Sequence, residues 1–183
     1  MDLDALGAAD ERLAAWVGDR LRPKVLLASQ AKVLEAAADA NGRLVPSVPV
    51  VAVEPVDPAD VWRILAVLCS PVATAWALGH YGGAGLSTQS IKLSARQVLN
   101  VPTPADGDRW AEAAASCRSA SEASAAAEVS GPERSDRYRD HLRRAAVQSC
   151  WAYGVASDEV RALVRWWERR VRWEDPEILR PSP

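Results

Sequence analysis

The sequence predicts an α+β fold: a small antiparallel or mixed sheet with packed helices, followed by a C-terminal helical segment. Three observations carry that expectation. Residues 24–53 hold short strand-like runs punctuated by Asn41-Gly42, Pro46 and Pro49. Residues 57–81 carry apolar positions at helical period. From Asp106 onward the chain turns rich in alanine, and Trp110 to Ala127 contains almost nothing branched, so it is helical on propensity alone. Strands followed by helices describe a small α+β domain, not a doubly wound sheet.

Residues 2–21 form an amphipathic helical stretch, with Leu3, Leu6, Leu13 and Trp16 among acids, stopped by Pro23. Lys24–Gln30 then reads as a strand. Lys32–Asp39 is a second extended candidate. Its three alanines would also suit a helix, but Asn41-Gly42 is a hairpin-turn dipeptide and favours a strand on either side. Val48–Val53 is the return strand, confined to an edge or irregular position by Pro46 and Pro49, because proline cannot donate to a ladder.

Asp57 is placed to cap the next helix, with Pro58 at its first position; Val61, Ile64, Leu65 and Leu68 share one face. Pro71 cannot continue that helix, and Ser70-Pro71 opens another through Val72, Ala75 and Trp76. Gly79, Gly82, Gly83 and Gly85 end it in a loop. Leu86–Leu99 is an extended stretch rich in hydroxyl, amide and basic groups, closed by Pro102 and Pro104. Three tail helices follow. The first runs from Trp110 to Ala127 and breaks at Ser130-Gly131-Pro132. The second carries Tyr138, Leu142, Ala145, Ala146 and Tyr153 and ends at Gly154; the third covers Asp158–Trp173. The expected division is an α+β domain of residues 1–104 and a helical segment of residues 105–183.

A chain of 183 residues can bury one real core. No apolar run approaches the roughly 20 residues of a membrane helix, and Met1-Asp2-Leu3-Asp4 lacks the basic start of a secretory signal. Cys69, Cys117 and Cys150 are odd in number and far apart, which points to a reducing, cytoplasmic setting without a disulfide framework. The net charge of −2 and a pI near 5.7 are unusual for a nucleic-acid binder. A local basic face matters more than the total, however.

Gly82-Gly83-Ala84-Gly85 follows a helix and opens an extended stretch, the wrong context for a nucleotide loop, which follows a strand and opens a helix. A bland connection remains open. Ser87, Thr88, Gln89, Ser90, Lys92, Ser94, Arg96 and Gln97 are the residue types that bond phosphate oxygens and base edges. The same set would suit a solvated edge strand. Ser29, Gln30 and Lys32 form a second candidate set. His80 reads as a helix C-terminal cation or surface residue, and two histidines with three scattered cysteines offer no pair at metal-ligand spacing. The tail arginines could form a phosphate-binding face, but acids are interleaved throughout, which favours a solvated, salt-bridged helix pair. Trp166, Trp167 and Trp173 exceed one helix face and hint at a partner interface.

Leu68-Cys69-Ser70-Pro71, Gly82-Gly83-Ala84-Gly85, Lys92-Leu93-Ser94 and Val101-Pro102-Thr103-Pro104 occur in the order helix, turn, helix, glycine loop, polar stretch, proline exit. In that order and spacing the chain resembles the C-terminal specificity (target-recognition) domain of adenine-specific DNA methyltransferases of type I and type IIG restriction-modification systems. Pro23-Lys24-Val25-Leu26-Leu27-Ala28-Ser29-Gln30 resembles the strand that opens the same domain, so the likeness covers residues 20–130 or so. The resemblance implies duplex DNA as partner. Its contacts would be Gly83, Gly85, Ser87, Thr88, Gln89, Lys92, Ser94 and Arg96, with Gln30 and Lys32 from the opening strand.

The departures from the family are large. There is no Pro-Pro dipeptide for an Asn-Pro-Pro-aromatic motif and no Phe for a Phe-x-Gly-x-Gly loop. The resemblance therefore implies that S-adenosylmethionine and methyl transfer to adenine belong to a partner catalytic domain or subunit, with no cofactor, metal or catalytic residue in this chain. The rival expectation is a non-catalytic protein-interaction or regulatory module that docks a partner through its Trp-rich helices, which the low pI favours.

Overall fold

The computed structural model describes residues 3–83, 90–125 and 132–171. Its class is α+β, a three-stranded antiparallel sheet with packed helices. The expected first helical stretch is divided into α1 (Leu3–Ala9) and α2 (Glu11–Gly18). Asp10 is the reason. Its backbone is extended and its carboxylate accepts the Leu13 N–H at 3.0 Å, so a new helix starts there instead of the old one continuing.

The sheet is built on β1 (Lys24–Ala28), and the short β2 (Gln30–Ala31) follows it directly. Two antiparallel partners flank β1: β3 (Ala36–Asp39), with Leu27 opposite Ala36, and β4 (Val50–Val53), with Leu27 opposite Val51. The strand order β3-β1-β4 corrects the expected hairpin, in which residues 32–39 and 48–53 would have paired with each other. Asn41-Gly42 does turn the chain, with Gly42 at φ 64°, but the turn carries it around the end of β1 to the opposite edge. A buried ion pair sets that path. Lys24 and Asp39 side chains are 0% and 5% exposed, and Lys24 Nζ donates to Asp39 Oδ2 at 2.6 Å. The same carboxylate accepts the N–H groups of Arg43 and Leu44, both at 2.8 Å, folding residues 40–44 back over the start of β1. A Cβ at Gly42 would meet the Arg22 backbone at 2.7–2.9 Å, so only glycine allows this approach.

A single 3₁₀ turn (Pro58–Asp60), capped by Asp57, leads into α3 (Val61–Leu68). Ser70 then caps α4 (Pro71–Tyr81) by accepting the Ala73 N–H at 3.0 Å. Both starts agree with the sequence because a cap is a local device, complete within four residues. β5 (Ile91–Lys92) and α5 (Ala95–Val98) follow. The tail forms α6 (Gly107–Ala125), α7 (Pro132–Ala152) and α8 (Ser157–Glu168), the last ending before the expected Trp173, which lies outside the described residues, as does the expected break at Ser130 and Gly131.

The core does not divide at residue 104. Val25 and Leu27 of β1, Leu65 of α3, Ala73 of α4, and Ala113 and Cys117 of α6 belong to one buried cluster. Alanine and cysteine along the α6–α7 seam let those helices approach closely, and Tyr153 donates from its hydroxyl to the Pro102 carbonyl at 2.5 Å. A second cluster joins Val33 to Cys150 of α7 and to Val160, Val164 and Trp167 of α8. Trp167, expected to need a partner, is thus buried within this chain. Among the described residues no single helix is long and apolar enough to cross a membrane. The α3–α4 pair is apolar enough together, but it bends by 66° and its apolar faces are buried in the core.

Candidate nucleic-acid interface

The two candidate sets, far apart in the chain, meet in one ladder. β2 pairs antiparallel with β5, with Gln30 opposite Lys92 and Ala31 opposite Ile91. The Leu93 N–H donates to the Ser29 carbonyl at 2.9 Å and extends the pairing by one step. Side chains alternate across a strand. Ile91 and Leu93 point into the core, while Lys92 is exposed. Gln30, directly across from Lys92, shares its face. Lys32 follows β2 and is also exposed, held at its root by the buried Val33.

The extended stretch expected over Leu86–Leu99 is corrected. In its described part only Ile91–Lys92 is strand, and Ala95–Val98 is helix. A capping box produces the helix: Ser94 Oγ accepts the Gln97 N–H at 3.4 Å, and Gln97 Oε1 accepts the Ser94 N–H at 2.8 Å. Ser94 therefore has a structural task that the sequence reading did not assign. Ser94→Ala is expected to lower stability by about 1 kcal/mol, read as a shift of the urea midpoint, with Ser94→Asp restoring it because aspartate caps equally well. An unchanged midpoint in Ser94→Ala would remove this role. Arg96 lies in the first turn of α5, exposed.

Gly83 closes the near side of the loop. Its φ is 81°, and its N–H donates to the Ser90 carbonyl at 3.2 Å while Gly82 bridges to Ile91. A Cβ at Gly82 would collide with the Leu78 carbonyl oxygen, whereas the positive φ of Gly83 is itself a conformation that favours glycine. Gly85, Ser87, Thr88 and Gln89 lie outside the described residues. The helix entering the loop ends in an aromatic cluster. His80 stacks on Trp76 with ring centroids 4.4 Å apart, and its Nδ1 lies 2.8 Å from the Trp76 carbonyl oxygen.

Among the described residues of the tail, ion pairs join Arg118 to Glu122, Arg139 to Asp136 and Arg143 to Glu168. Arg143 donates to Glu168 at 2.6 Å, which holds its guanidinium above its usual pKa. Burial pushes the Cys69 thiol up to about 11 and Cys150 to about 12, so both are thiols near neutral pH, the reverse of an activated nucleophile. Among the described residues no group of three His, Cys, Asp or Glu side chains converges. Comparison with protein-family models, with curated proteins and with solved structures returns no match.

Proposed function

We propose that this chain is a DNA-binding specificity domain of the restriction-modification adenine methyltransferase type. It would act in the cytoplasm with a separate catalytic domain or subunit that holds S-adenosylmethionine and transfers the methyl group. The observation that carries the reading is the register Gln30 opposite Lys92. Through it an amide able to bond adenine bidentately and a phosphate-seeking ammonium stand side by side on a face that also holds Lys32. Lys92 reaches a backbone or a guanine edge, Gln30 reads a base, and the lack of a side chain at Gly83 allows close approach. Any affinity built this way is largely electrostatic despite the net charge of −2.

The test is binding of the purified chain to labelled mixed-sequence duplex DNA by fluorescence anisotropy between about 20 and 200 mM salt. Specificity-domain function predicts affinity that falls linearly on a log–log plot as salt rises. Absence of binding at the lowest salt by a folded chain would defeat the reading and leave the partner-docking module in its place.

A further inference from the structure

We infer that the cavity between β3 and the tail helices binds a small molecule with an apolar body and one anionic group, an inference that does not rest on DNA binding although Lys32 borders both surfaces. The cavity measures about 560 Å³, within the range of roughly 300–1,000 Å³ typical of small-molecule sites. Leu65 of α3, Ala120 of α6, Leu142 of α7 and Trp167 of α8 line it, so four separately packed elements hold it open. Protein interiors are close-packed, and voids larger than a water molecule are few. Here the space persists because alanines, at Ala36 and Ala38 of β3 and Ala120 opposite, stand where larger side chains would fill it.

The chemistry of the lining selects the ligand. The ionisable groups inside are Cys69, Cys117 and Tyr138, and burial keeps all three neutral, with Tyr138 raised to about 12. Among the described residues, the charged groups of the lining are Lys32, Arg170 and Glu35. Lys32 is exposed, and the Arg170 guanidinium is carried 4.8 Å from the Trp166 ring. Among the described residues, two cations against one acid, beside neutral groups and a lining somewhat more apolar than polar, complement a ligand whose anionic head stays near Lys32 or Arg170 while its body enters. A carboxylate and a phosphate monoester share that chemistry.

The full chain is titrated with anilinonaphthalene sulfonate and with uncharged N-phenylnaphthylamine, which has the same aromatic body. The expected result is saturable binding of one probe per chain, abolished for both by Ala120→Phe. Lys32→Ala combined with Arg170→Ala should weaken the sulfonate about ten-fold, equivalent to one ion contact, and leave the uncharged probe unchanged. In the unsubstituted chain, saturating sulfonate should displace the uncharged probe one for one, so the result does not depend on Ala120→Phe folding. Competition by decanoate or by adenosine monophosphate then assigns the head as carboxylate or phosphate. No probe binding, binding that survives in a folded Ala120→Phe chain, simultaneous binding of both probes, or competition by neither anion would each overturn the proposal.

Discussion

Asp39→Ala is expected to lower the unfolding free energy by about 3–5 kcal/mol, the cost of stranding a buried charge. Lys24 is fully buried, and its ammonium would keep only the carbonyls of Arg20 and Arg22, at 2.9 and 3.0 Å. The N–H groups of Arg43 and Leu44 would lose their acceptor at the same time. Each kilocalorie lost moves the melting temperature by roughly 2–4 °C in a chain of this size. Replacing both partners (Lys24→Met with Asp39→Ala) should recover part of the loss, because an apolar substitute needs no compensating charge. Thermal and urea denaturation of the two variants beside the natural chain measure this. A loss below about 1 kcal/mol in Asp39→Ala would mean that water reaches Lys24 and the pair is not a keystone.

The same carboxylate gives the fold an acid limb. Burial alone would raise the Asp39 pKa. The hydrogen bond from Lys24, those from Arg43 and Leu44, and the charge of Lys24 together outweigh it and hold the carboxyl below its usual value. A folded-state pKa below the unfolded one contributes stability that is complete above the unfolded pKa of about 3.9. That contribution is lost as pH falls through the lower folded value. The urea midpoint should therefore decline on acidification below about pH 4–5 more steeply in the natural chain than in Asp39→Asn. Equal slopes would show that other carboxylates carry the acid sensitivity.

Lys92→Ala combined with Arg96→Ala should abolish most DNA binding at physiological salt and, at low salt, flatten the log–log salt dependence by about two units. Each phosphate contact removed takes away about 0.9 of slope, whatever the base sequence. Both side chains are exposed and neither forms an ion pair among the described residues, so the variant should keep the stability of the natural chain. Gln30→Ala separates positioning from reading. It should leave the salt slope intact and weaken binding only to duplexes that carry the preferred base. Binding untouched by Lys92→Ala and Arg96→Ala together would move the DNA face to tail arginines such as Arg144, Arg161 and Arg165, which are likewise exposed.

What the sequence determined by itself was local. The caps at Asp57 and Ser70, the prolines at the starts of their helices, the glycine end of α4 and the tail helices were readable because each is specified within a few consecutive residues. Confinement of Val50–Val53 to a sheet edge followed from the missing proline N–H at Pro49. The residue types of the candidate face were legible too, although not their arrangement.

Tertiary structure alone decided the rest. Asn41-Gly42 signals a turn but not which strand the chain rejoins; that depended on Asp39 satisfying Lys24, Arg43 and Leu44 together. The Ser94–Gln97 capping box, by contrast, is a local signal that the strand-like composition of residues 87–97 conceals. The face shared by Gln30 and Lys92 exists only because Ala31 and Ile91 pair and Ile91 is buried beneath them. Local hydrogen bonds are written in neighbouring residues. Pairing between distant segments is settled by which buried groups find partners, and that competition takes place only once the whole core is assembled.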